Sequence, residues 1–247
     1  HTGSGKSTLI QHLNGLLKPD EGKVLFDGSD IYQEGYSLKE LRGKVGLSFQ
    51  YPEHQLFEVT VFEDVCFGPK NLGLSQEEVK ERAREALQMV GMDEKYYEKS
   101  PFELSGGQKR RVAIAGILAM HPQYFILDEP TAGLDPIGRD KILELLKRLH
   151  ENQGITIILV SHSMEEIANY VDRILVMDQG CLLYDDVPKE VFKHKEKLEE
   201  IGLAVPFYMY LMEDLRERGF FEEEVTAITL KEAEDQILKV LKRKQTL

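Results

Sequence analysis

Residues 1–8 read His1-Thr2-Gly3-Ser4-Gly5-Lys6-Ser7-Thr8. Gly5-Lys6-Ser7 matches the last three positions of the phosphate-binding pattern G-x-x-x-x-G-K-[ST], whose leading glycine would precede residue 1. Glycines in this pattern let backbone N–H groups surround a phosphate chain, Lys6 adds a positive charge, and the Ser7 hydroxyl can ligate Mg²⁺. A helix that begins here adds its positive end. The octapeptide alone is also compatible with a Gly/Ser-rich tail. Only the rest of the sequence can distinguish this interpretation from a phosphate-binding loop.

The composition is that of an ordinary globular protein and argues against several functional classes. The 247 residues are 42% hydrophobic, enough for one large α/β domain or for one domain with an appendage. A formal net charge of −12 argues against a general attraction to nucleic acid or anionic lipid. Cys66 and Cys181 suggest neither a disulfide framework nor a zinc site, which fits a reducing cytosol. No apolar run reaches the roughly 18 residues of a membrane span, so a membrane role would require a partner.

Two apolar stretches predict buried parallel strands that end at one edge of a sheet. Tyr124–Leu127 is followed by the acids Asp128 and Glu129, and Ile155–Val160 is followed closely by His162. Continuous apolar runs are typical of strands covered on both faces, and ligands gather at the carboxyl ends of such strands. Because strands alternate with helical patterns, we predict an α/β fold with a mostly parallel sheet.

The remaining patterns divide the chain into parts. Residues 58–120 carry mostly helical patterns, including a capping box formed by Ser75 and Glu78. We expect residues 1–195 to form the main domain, with a helical subdomain inserted at about 58–120. Residues 196–247 predict a small α-rich C-terminal extension, which is too short for its own core and should pack on the main domain or on another subunit. Further predicted strands are 23–26, 45–49, and the pair 173–177 and 181–184, which a hairpin turn joins. Further predicted helices are 109–120, 229–244, and 136–153, which Asp135 caps, Pro136 begins and Gly154 ends.

Two groups of residues have the chemistry that phosphate hydrolysis requires, namely charge neutralisation, a metal ion and a positioned water. Asp128 can hold Mg²⁺ directly or through a water molecule, and Glu129 can accept a proton from an attacking water. Leu104-Ser105-Gly106-Gly107-Gln108 precedes a predicted helix and supplies a second anion-binding set of N–H groups and a hydroxyl. Each group alone is also compatible with a solvated turn or a plain helix cap. Their order along the chain with the octapeptide, Gln50 and His162 makes coincidence very improbable.

With these motifs in register, the chain resembles the ATP-binding subunit of an ABC transporter over nearly all of residues 1–195. The resemblance implies a P-loop NTPase core that binds and hydrolyses ATP with Mg²⁺. It also implies that two subunits meet head to tail, so that the signature serine of one closes over the γ-phosphate held by the P-loop of the other. The matching motifs are the partial P-loop, Gln50 as the Q-loop glutamine, Leu104–Gln108 as the signature, Phe125–Glu129 as Walker B, Ala132–Asp135 as the D-loop and His162 as the switch histidine.

The resemblance gives each motif residue an expected role. The expected catalytic residues are Glu129, His162 and Gln50, and the expected Mg²⁺ ligands are Ser7, Gln50 and Asp128. The residues expected to contact nucleotide are His1, Thr2, Gly3, Ser4, Gly5, Lys6, Ser7, Thr8, Ser105, Gly106, Gly107, Gln108 and Asp135.

A finer resemblance is to the energy-coupling-factor subgroup of these ATPases. It rests on Ser48–Phe57, Phe67-Gly68-Pro69, Asn71-Leu72-Gly73 and Gly202–Pro206. Members of the subgroup power uptake of vitamins or of cobalt and nickel ions through a transmembrane coupling protein and a substrate-binding membrane protein. The resemblance implies those two partners, a second ATPase subunit that is identical or paralogous, and a peripheral position on the cytoplasmic face of the cell membrane. It also implies that the C-terminal extension helps to hold the ATPase pair together.

The segment after Gln50 is implied to pass motion to the membrane partner. Its apolar residues either form that docking surface or belong to the core of the helical region. These residues are Leu56, Phe57, Val59, Val61 and Phe62.

Other ABC proteins remain alternatives, either another transporter class or a non-transport ATPase. Chromosome and DNA-repair relatives insert long coiled coils between Q-loop and signature, and the interval from Gln50 to Ser105 has no room for them. Two departures limit the resemblance. The adenine-stacking aromatic residue and the first strands of the family precede the P-loop, so we expect the sequence to begin at a break in a longer chain. Ser163 stands where the subgroup often has an acidic residue.

Overall fold

A computed structural model describes residues 3–221 and 225–245 of the protein. These residues form two compact units. One comprises residues 6–160, and the other comprises residues 3–5 together with the described residues from 161 onward. The domain boundary predicted near residue 195 is a different division and stays a prediction.

The strands of residues 6–160 form a short ribbon and a parallel sheet. The ribbon pairs β1 (Leu25–Phe26) with β2 (Ser29–Asp30), so the strand predicted at 23–26 is shorter than expected. The sheet has the order β3 (Val45–Ser48), β4 (Tyr124–Asp128) and β5 (Thr156–Val160), with all neighbours parallel. The predicted α/β fold with a parallel sheet is therefore confirmed.

The central strand β4 is buried because its continuous apolar run is covered on both faces. Phe125, Ile126 and Leu127 are each 0% exposed. Ile126 packs in one cluster with residues of the first helix and of the β3 segment, whereas Phe125 and Leu127 pack in another cluster with the helices of residues 61–118 and 136–153. The sheet alternates its side chains between two cores, and this fixes where the acids at the end of β4 emerge.

Local sequence signals set the ends of the helices in this unit. Ser75 and Glu78 make the predicted capping box. As predicted, Asp135 caps a helix whose first residue is Pro136, and Gly154 ends that helix; Gly154 has a left-handed conformation. The helices are α1 (Lys6–Leu13), α2 (Leu38–Lys44), α3 (Val61–Leu72), α4 (Gln76–Met89), α5 (Gly106–Leu118) and α6 (Pro136–Gln153), with a 3-10 turn at Pro52–Gln55.

Helix α5 begins three residues earlier than predicted. The prediction placed its start at Lys109 because glycine lowers helix propensity, but the observed first residue is Gly106. Ser105 is the N-cap, and its hydroxyl accepts a hydrogen bond from the Gln108 backbone N–H. The glycines of the signature segment therefore lie inside the first turn of the helix.

The second unit combines a hairpin with small helices. The strands β6 (Ile174–Asp178) and β7 (Cys181–Asp186) are antiparallel, as predicted, and the turn between them has positive φ at Gln179 and Gly180. Apolar residues of the hairpin pack in one cluster with Phe192, Leu198 and Met209, so part of the C-terminal segment packs on the hairpin. The helices are α7 (Met164–Tyr170), α8 (Pro188–Phe192), α9 (Lys195–Glu200), α10 (Phe207–Glu217) and α11 (Leu230–Gln245).

Within the described ranges, no helix is both long enough and apolar enough to cross a membrane.

Candidate active site

The described part of the P-loop has the backbone conformation that its glycines predict. His1 and Thr2 lie outside the described residues. Gly3 and Gly5 have φ of 83° and 98°, values that side-chain-bearing residues rarely adopt. Ser4 is fully buried and its carbonyl accepts a hydrogen bond of 3.1 Å from the Gly180 N–H. A Cβ on Gly5 would lie 3.4 Å from the Gly180 Cα, so the close approach of the two backbones also favours glycine.

Helix α1 leaves its positive end without a neutralising acid of its own. Lys6 is the first helical residue, and the first turn contains no acidic side chain. The unsatisfied N–H groups and the helix dipole at such an end favour an anion. Ser7 and Thr8 are exposed and Lys6 is half-buried. The residues predicted to hold phosphate from this side are thus accessible.

Ser7 and Asp128, two predicted metal ligands, are in contact although 121 positions separate them in sequence. The Ser7 hydroxyl donates a hydrogen bond of 2.9 Å to Asp128 Oδ2. Asp128 is the last residue of β4, and Gln50 follows the end of the neighbouring strand β3 by two positions. Mg²⁺ prefers oxygen ligands, so the Ser7 and Asp128 oxygens fit this ion. The fold brings them together and places exposed Gln50 after the adjacent strand end.

Glu129 is held in a strained backbone conformation directly after Asp128. Its φ is 51°, which is uncommon for a residue with a side chain and costs about 1–3 kcal/mol. Its N–H donates a hydrogen bond of 2.9 Å to the carbonyl of Val160, the last residue of β5. The turn therefore redirects the chain immediately after the strand, and the half-buried Glu129 begins that new direction.

In the second unit, exposed His162 lies between two serines that form a hydrogen-bonded start to α7. Ser163 is the N-cap of α7, and its own N–H donates a hydrogen bond of 3.0 Å to Ser161 Oγ. The Ser161 hydroxyl donates a hydrogen bond of 2.8 Å to Glu166 Oε2. Capping explains a serine at position 163, because serine is among the preferred N-cap residues. This capping role of Ser163 was not predicted.

The signature segment forms a second capping box in residues 6–160. The Ser105 N–H donates a hydrogen bond of 2.9 Å to Gln108 Oε1, while the Gln108 N–H donates one of 3.4 Å to Ser105 Oγ. A Cβ on Gly106 or Gly107 would meet nothing within 4 Å in this chain. The chain's own packing therefore does not require these two glycines, and α5 has no acid in its first turn.

Asp135, predicted to contact nucleotide, has a structural contact in this chain. Its Oδ1 accepts a hydrogen bond of 2.6 Å from the Gly138 N–H at the start of α6. This bond satisfies one of the free N–H groups of the helix start. Its predicted nucleotide contact stays a prediction.

Arg110 is a functional candidate that the sequence analysis missed. It lies in the second turn of α5 and is 1% exposed. Its guanidinium bonds Glu53 and two backbone carbonyls. One signal was available, since Arg110 lies three and four positions before the core residues Ala113 and Ile114 and so shares their helix face.

A cleft of about 550 Å³ lies between the segment after Gln50 and helices α2, α3 and α5. The apolar residues of that segment separate into two groups. Leu56 and Val61 are buried and Phe62 packs against the same core, whereas Phe57 and Val59 are 57% and 76% exposed. Phe57 lines the cleft and contacts the Phe67 ring edge to face at 4.9 Å.

Asp64 fixes the backbone at the edge of this cleft. Its Oδ2 accepts hydrogen bonds of 3.0 Å and 2.9 Å from the N–H groups of Phe57 and Glu58. Burial raises the pKa of the Asp64 carboxyl, and the two backbone bonds only partly oppose that shift. The carboxylate thus holds Phe57 where its ring meets the cleft.

Comparison with known proteins identifies the family. The family model described as ABC transporter matches residues 1–132. The energy-coupling factor transporter ATP-binding protein EcfA2 of Clostridium tetani is 56% identical over 247 residues, which are 100% of this chain and 85% of that protein.

Solved structures agree with this assignment. The structure of cbiO1 from Clostridium perfringens, described as part of the ABC transporter complex cbiONQ, has a TM-score of 0.71 and 44% identity and covers 86% of this chain and 84% of its own. The dimeric ATP-binding cassette MJ0796 bound to ADP and Pi has a TM-score of 0.66 and 34% identity, covering 76% of this chain and 82% of its own. The chain belongs to the ABC transporter family of ATPases, in the group of energy-coupling factor ATP-binding proteins.

Proposed function

We propose that this chain binds and hydrolyses ATP to power a membrane importer of the energy-coupling-factor type, with the motif residues in the roles predicted above. The observation that carries the proposal is the contact of Ser7 with Asp128, which joins the P-loop helix to the acid at the end of β4. A P-loop hydroxyl beside a strand-end carboxylate is the pair of oxygens that a nucleotide-bound metal ion requires.

The P-loop and the strand ends have different roles around the phosphates. The N–H groups at Gly3–Lys6 and the Lys6 ammonium bind the phosphate oxygens, and Ser7, Asp128 and Gln50 are the residues that would hold Mg²⁺. When bound, Mg²⁺ neutralises charge that develops on the phosphates.

Glu129 and His162 act on the attacking water and the γ-phosphate. The turn at Glu129 sets its carboxylate directly after the metal ligand Asp128, where it orients the water and accepts its proton. His162, presented by the capped start of α7, is assigned to the γ-phosphate. A histidine can donate a hydrogen bond to a phosphate oxygen from either ring nitrogen.

The signature segment serves the nucleotide of a second ATPase subunit. Gly106 and Gly107 leave open space above the first turn of α5, and that turn carries no acid. Such a surface lets phosphate oxygens approach the backbone N–H groups closely. The dimeric arrangement of MJ0796 supports a paired cassette, and the second subunit here is an identical or a paralogous chain.

The C-terminal extension contributes to the same pairing. Leu230, Leu238 and Leu241 of α11 are 61%, 41% and 42% exposed and lie on one side of the helix, because their spacing follows its period. A leucine stripe of this kind is covered when two subunits meet. Replacing Leu238 and Leu241 with glutamate should therefore weaken dimerisation without ATP, as sedimentation would show.

The cleft beside Phe57 receives the transmembrane coupling protein. One side of the cleft is apolar and includes Phe57 and Phe67, and another side carries Arg42 and Lys39. The segment that contributes Phe57 to the cleft follows Gln50 in the sequence. Motion at the nucleotide can thus reach the cleft through that segment. Through this partner and a substrate-binding membrane protein the chain acts at the cytoplasmic face of the membrane, in uptake of a vitamin or a transition-metal ion. Copurification from membranes with this chain as bait identifies both partners and separates this class from other ABC transporters.

The decisive experiment replaces the proposed base. Glu129→Gln should bind ATP, lower hydrolysis by at least about a hundredfold, and accumulate a closed dimer with ATP. Glu98→Gln, an exposed site elsewhere in the same unit, is the matched control and should hydrolyse ATP at the wild-type rate. Wild-type turnover by Glu129→Gln would remove Glu129 from the mechanism.

A further inference from the structure

Arg110 makes four hydrogen bonds to two separate segments of the chain. Its Nε and Nη2 donate to the two carboxylate oxygens of Glu53 at 3.0 Å and 2.8 Å. Its Nη1 donates to the carbonyls of Pro130 and Ala132, each at 2.8 Å. The Arg110 side chain is 2% exposed and that of Glu53 is 15% exposed. All of the partners lie in the unit of residues 6–160.

These partners follow the two residues that we assign to the reaction. Glu53 lies three positions after Gln50, in the 3-10 turn Pro52–Gln55. Pro130 and Ala132 follow Glu129 by one and three positions. Arg110 itself lies five positions after Ser105. One guanidinium therefore joins the segment after Gln50, the segment after Glu129 and the helix that carries the signature serine.

A second contact joins two of the same segments without Arg110. A Cβ placed on Gly133 would lie 3.5 Å from Cε1 of the Tyr51 ring, so this ring packs on the Gly133 backbone. Tyr51 has a φ of 58°, and Glu129 has a φ of 51°. Side-chain-bearing residues stay in this region only when surrounding contacts hold them. The bonds of Arg110 are made just after each of these strained positions.

Stability alone does not account for a buried ion pair of this kind. Replacing such a pair with apolar residues is often neutral or stabilising, because the charges lose their hydration. The planar fork of an arginine fixes direction as well as distance, which a lysine ammonium does not. Burial is the largest single influence on the pKa of Glu53 and raises it, but the hydrogen bond and charge of Arg110, with a backbone hydrogen bond and the charge of His54, together hold the pKa below its ordinary value, so Glu53 stays ionised at neutral pH.

We infer that Arg110 is a positioning residue for ATP hydrolysis, which fixes the backbone after Gln50 and after Glu129 relative to the signature end of α5. This inference rests on the roles proposed above for Gln50 and Glu129. The hydrogen bonds of Arg110 go to Glu53, Pro130 and Ala132, so it acts on the backbone next to Gln50 and Glu129. Its loss should leave the P-loop able to bind nucleotide and lower the rate of the chemical step.

The test compares Arg110→Met, Arg110→Lys and Glu53→Gln in the full chain with its partners. We expect kcat to fall about tenfold or more in Arg110→Met, with KM and the Kd for a fluorescent ATP analogue within about twofold of wild type, since misplaced groups cost rate without removing ground-state binding. Arg110→Lys keeps the charge but not the fork, and should recover only part of kcat. Arg111→Met is the matched control, because the Arg111 side chain donates to the Gly91 carbonyl, away from these segments.

The double variant Glu53→Gln, Arg110→Met shows whether the two residues contribute to kcat jointly or independently. If the two residues act as one unit, its kcat should be no lower than that of the worse single variant. Arg110→Met could fail to fold because it leaves Glu53 buried and unpaired. In that case the kcat values of the double variant and of Glu53→Gln test the inference, since glutamine has the shape of glutamate without its charge. A wild-type kcat in the folded variants overturns the inference.

Glu129→Gln, measured in the same series, separates this inference from the proposed function. If Glu129→Gln is inactive while the Arg110 variants keep the wild-type kcat, only the role of Arg110 is wrong. If Glu129→Gln itself turns over at the wild-type rate, the proposed catalytic assignment fails first.

Discussion

Helices α4 and α5 begin with equivalent capping-box hydrogen bonds, but their first turns differ in charge. In α4 the Ser75 hydroxyl accepts from the Glu78 N–H, and the Glu78 carboxylate accepts from the Ser75 N–H at 3.1 Å. In α5 the pair Ser105 and Gln108 makes the equivalent two bonds. The first turn of α4 contains two glutamates, whereas the first turn of α5 contains no acid.

The difference lies in what occupies the positive end of each helix. An acid in the first turn neutralises the positive end of the helix and stabilises it. Helix α4 uses this stabilisation and has no need of a ligand. In α5 a neutral glutamine closes the same box, and Gly106 and Gly107 leave the N–H groups open. The capping box alone therefore does not distinguish the two helix starts, whereas the missing acid and the two glycines set α5 apart.

The largest effect should come from blocking the open helix start. Ser105→Arg places a long side chain over the first turn of α5, and we expect ATP hydrolysis to fall about a hundredfold, as when a preorganised donor to the transition state is lost. Ser75→Arg makes the same change on α4 and should leave hydrolysis unchanged. Steady-state ATPase assays compare the two variants. Equal losses in both would show that the two helix starts do not differ in function.

A smaller effect should follow from giving α5 the charge of α4. Gln108→Glu keeps the capping box and introduces an acid where phosphate is proposed to bind, so we expect hydrolysis to fall about tenfold, or about 1.4 kcal/mol. The melting temperature should stay the same or rise, because the acid favours the helix start. Calorimetry and ATPase assays together check this prediction. A faster enzyme would contradict the assignment of α5 to an anion.

The next effect concerns stability alone. Ser75→Ala removes the hydroxyl that caps α4 and should lower the free energy of unfolding by about 1 kcal/mol. Hydrolysis should be unchanged at temperatures where the variant is folded. Denaturant titration measures the loss, and Ser75→Thr, which keeps a hydroxyl, should recover most of it.

The smallest effect is a pH dependence in α4. Hydrogen bonds from the Ser75 side chain and backbone lower the pKa of Glu78, so its ionised form favours the folded state. This stabilisation is complete above the ordinary glutamate pKa and is lost as pH falls through the lowered folded pKa. Glu78→Gln should therefore melt slightly below wild type at pH 7, and the difference should vanish in acid. A difference that persists in acid would mean that the charge is not its cause.

Local signals predicted the elements of this protein well. The capping box at Ser75, the start of α6 at Asp135-Pro136 and the buried strand before Asp128 all agree with the structure. Each depends on residues that are close in sequence. The start of α5 was placed three residues late for the same reason, because the glycines of its first turn weaken the local helical pattern.

Contacts between residues that are distant in sequence were harder to predict. The predicted roles of Ser7 and Asp128 came from motif order, but their 2.9 Å contact depends on packing across 121 positions. Arg110 was missed because nothing near it in sequence marks its partner, which lies 57 positions away. The sequence carries little signal for a buried charge whose partner comes from another element.

The left-handed backbone conformation of Glu129 has a consequence for attempts to raise the thermal stability of this protein. Glycine adopts a φ of 51° readily, so Glu129→Gly should relieve much of the about 1–3 kcal/mol of backbone strain, against about 0.5–1 kcal/mol of conformational entropy that glycine loses on folding. A selection for heat resistance alone would therefore favour loss of the proposed catalytic base. Thermostabilised forms of this ATPase should be screened for turnover at every round, because one of its strained residues is also the proposed catalytic base.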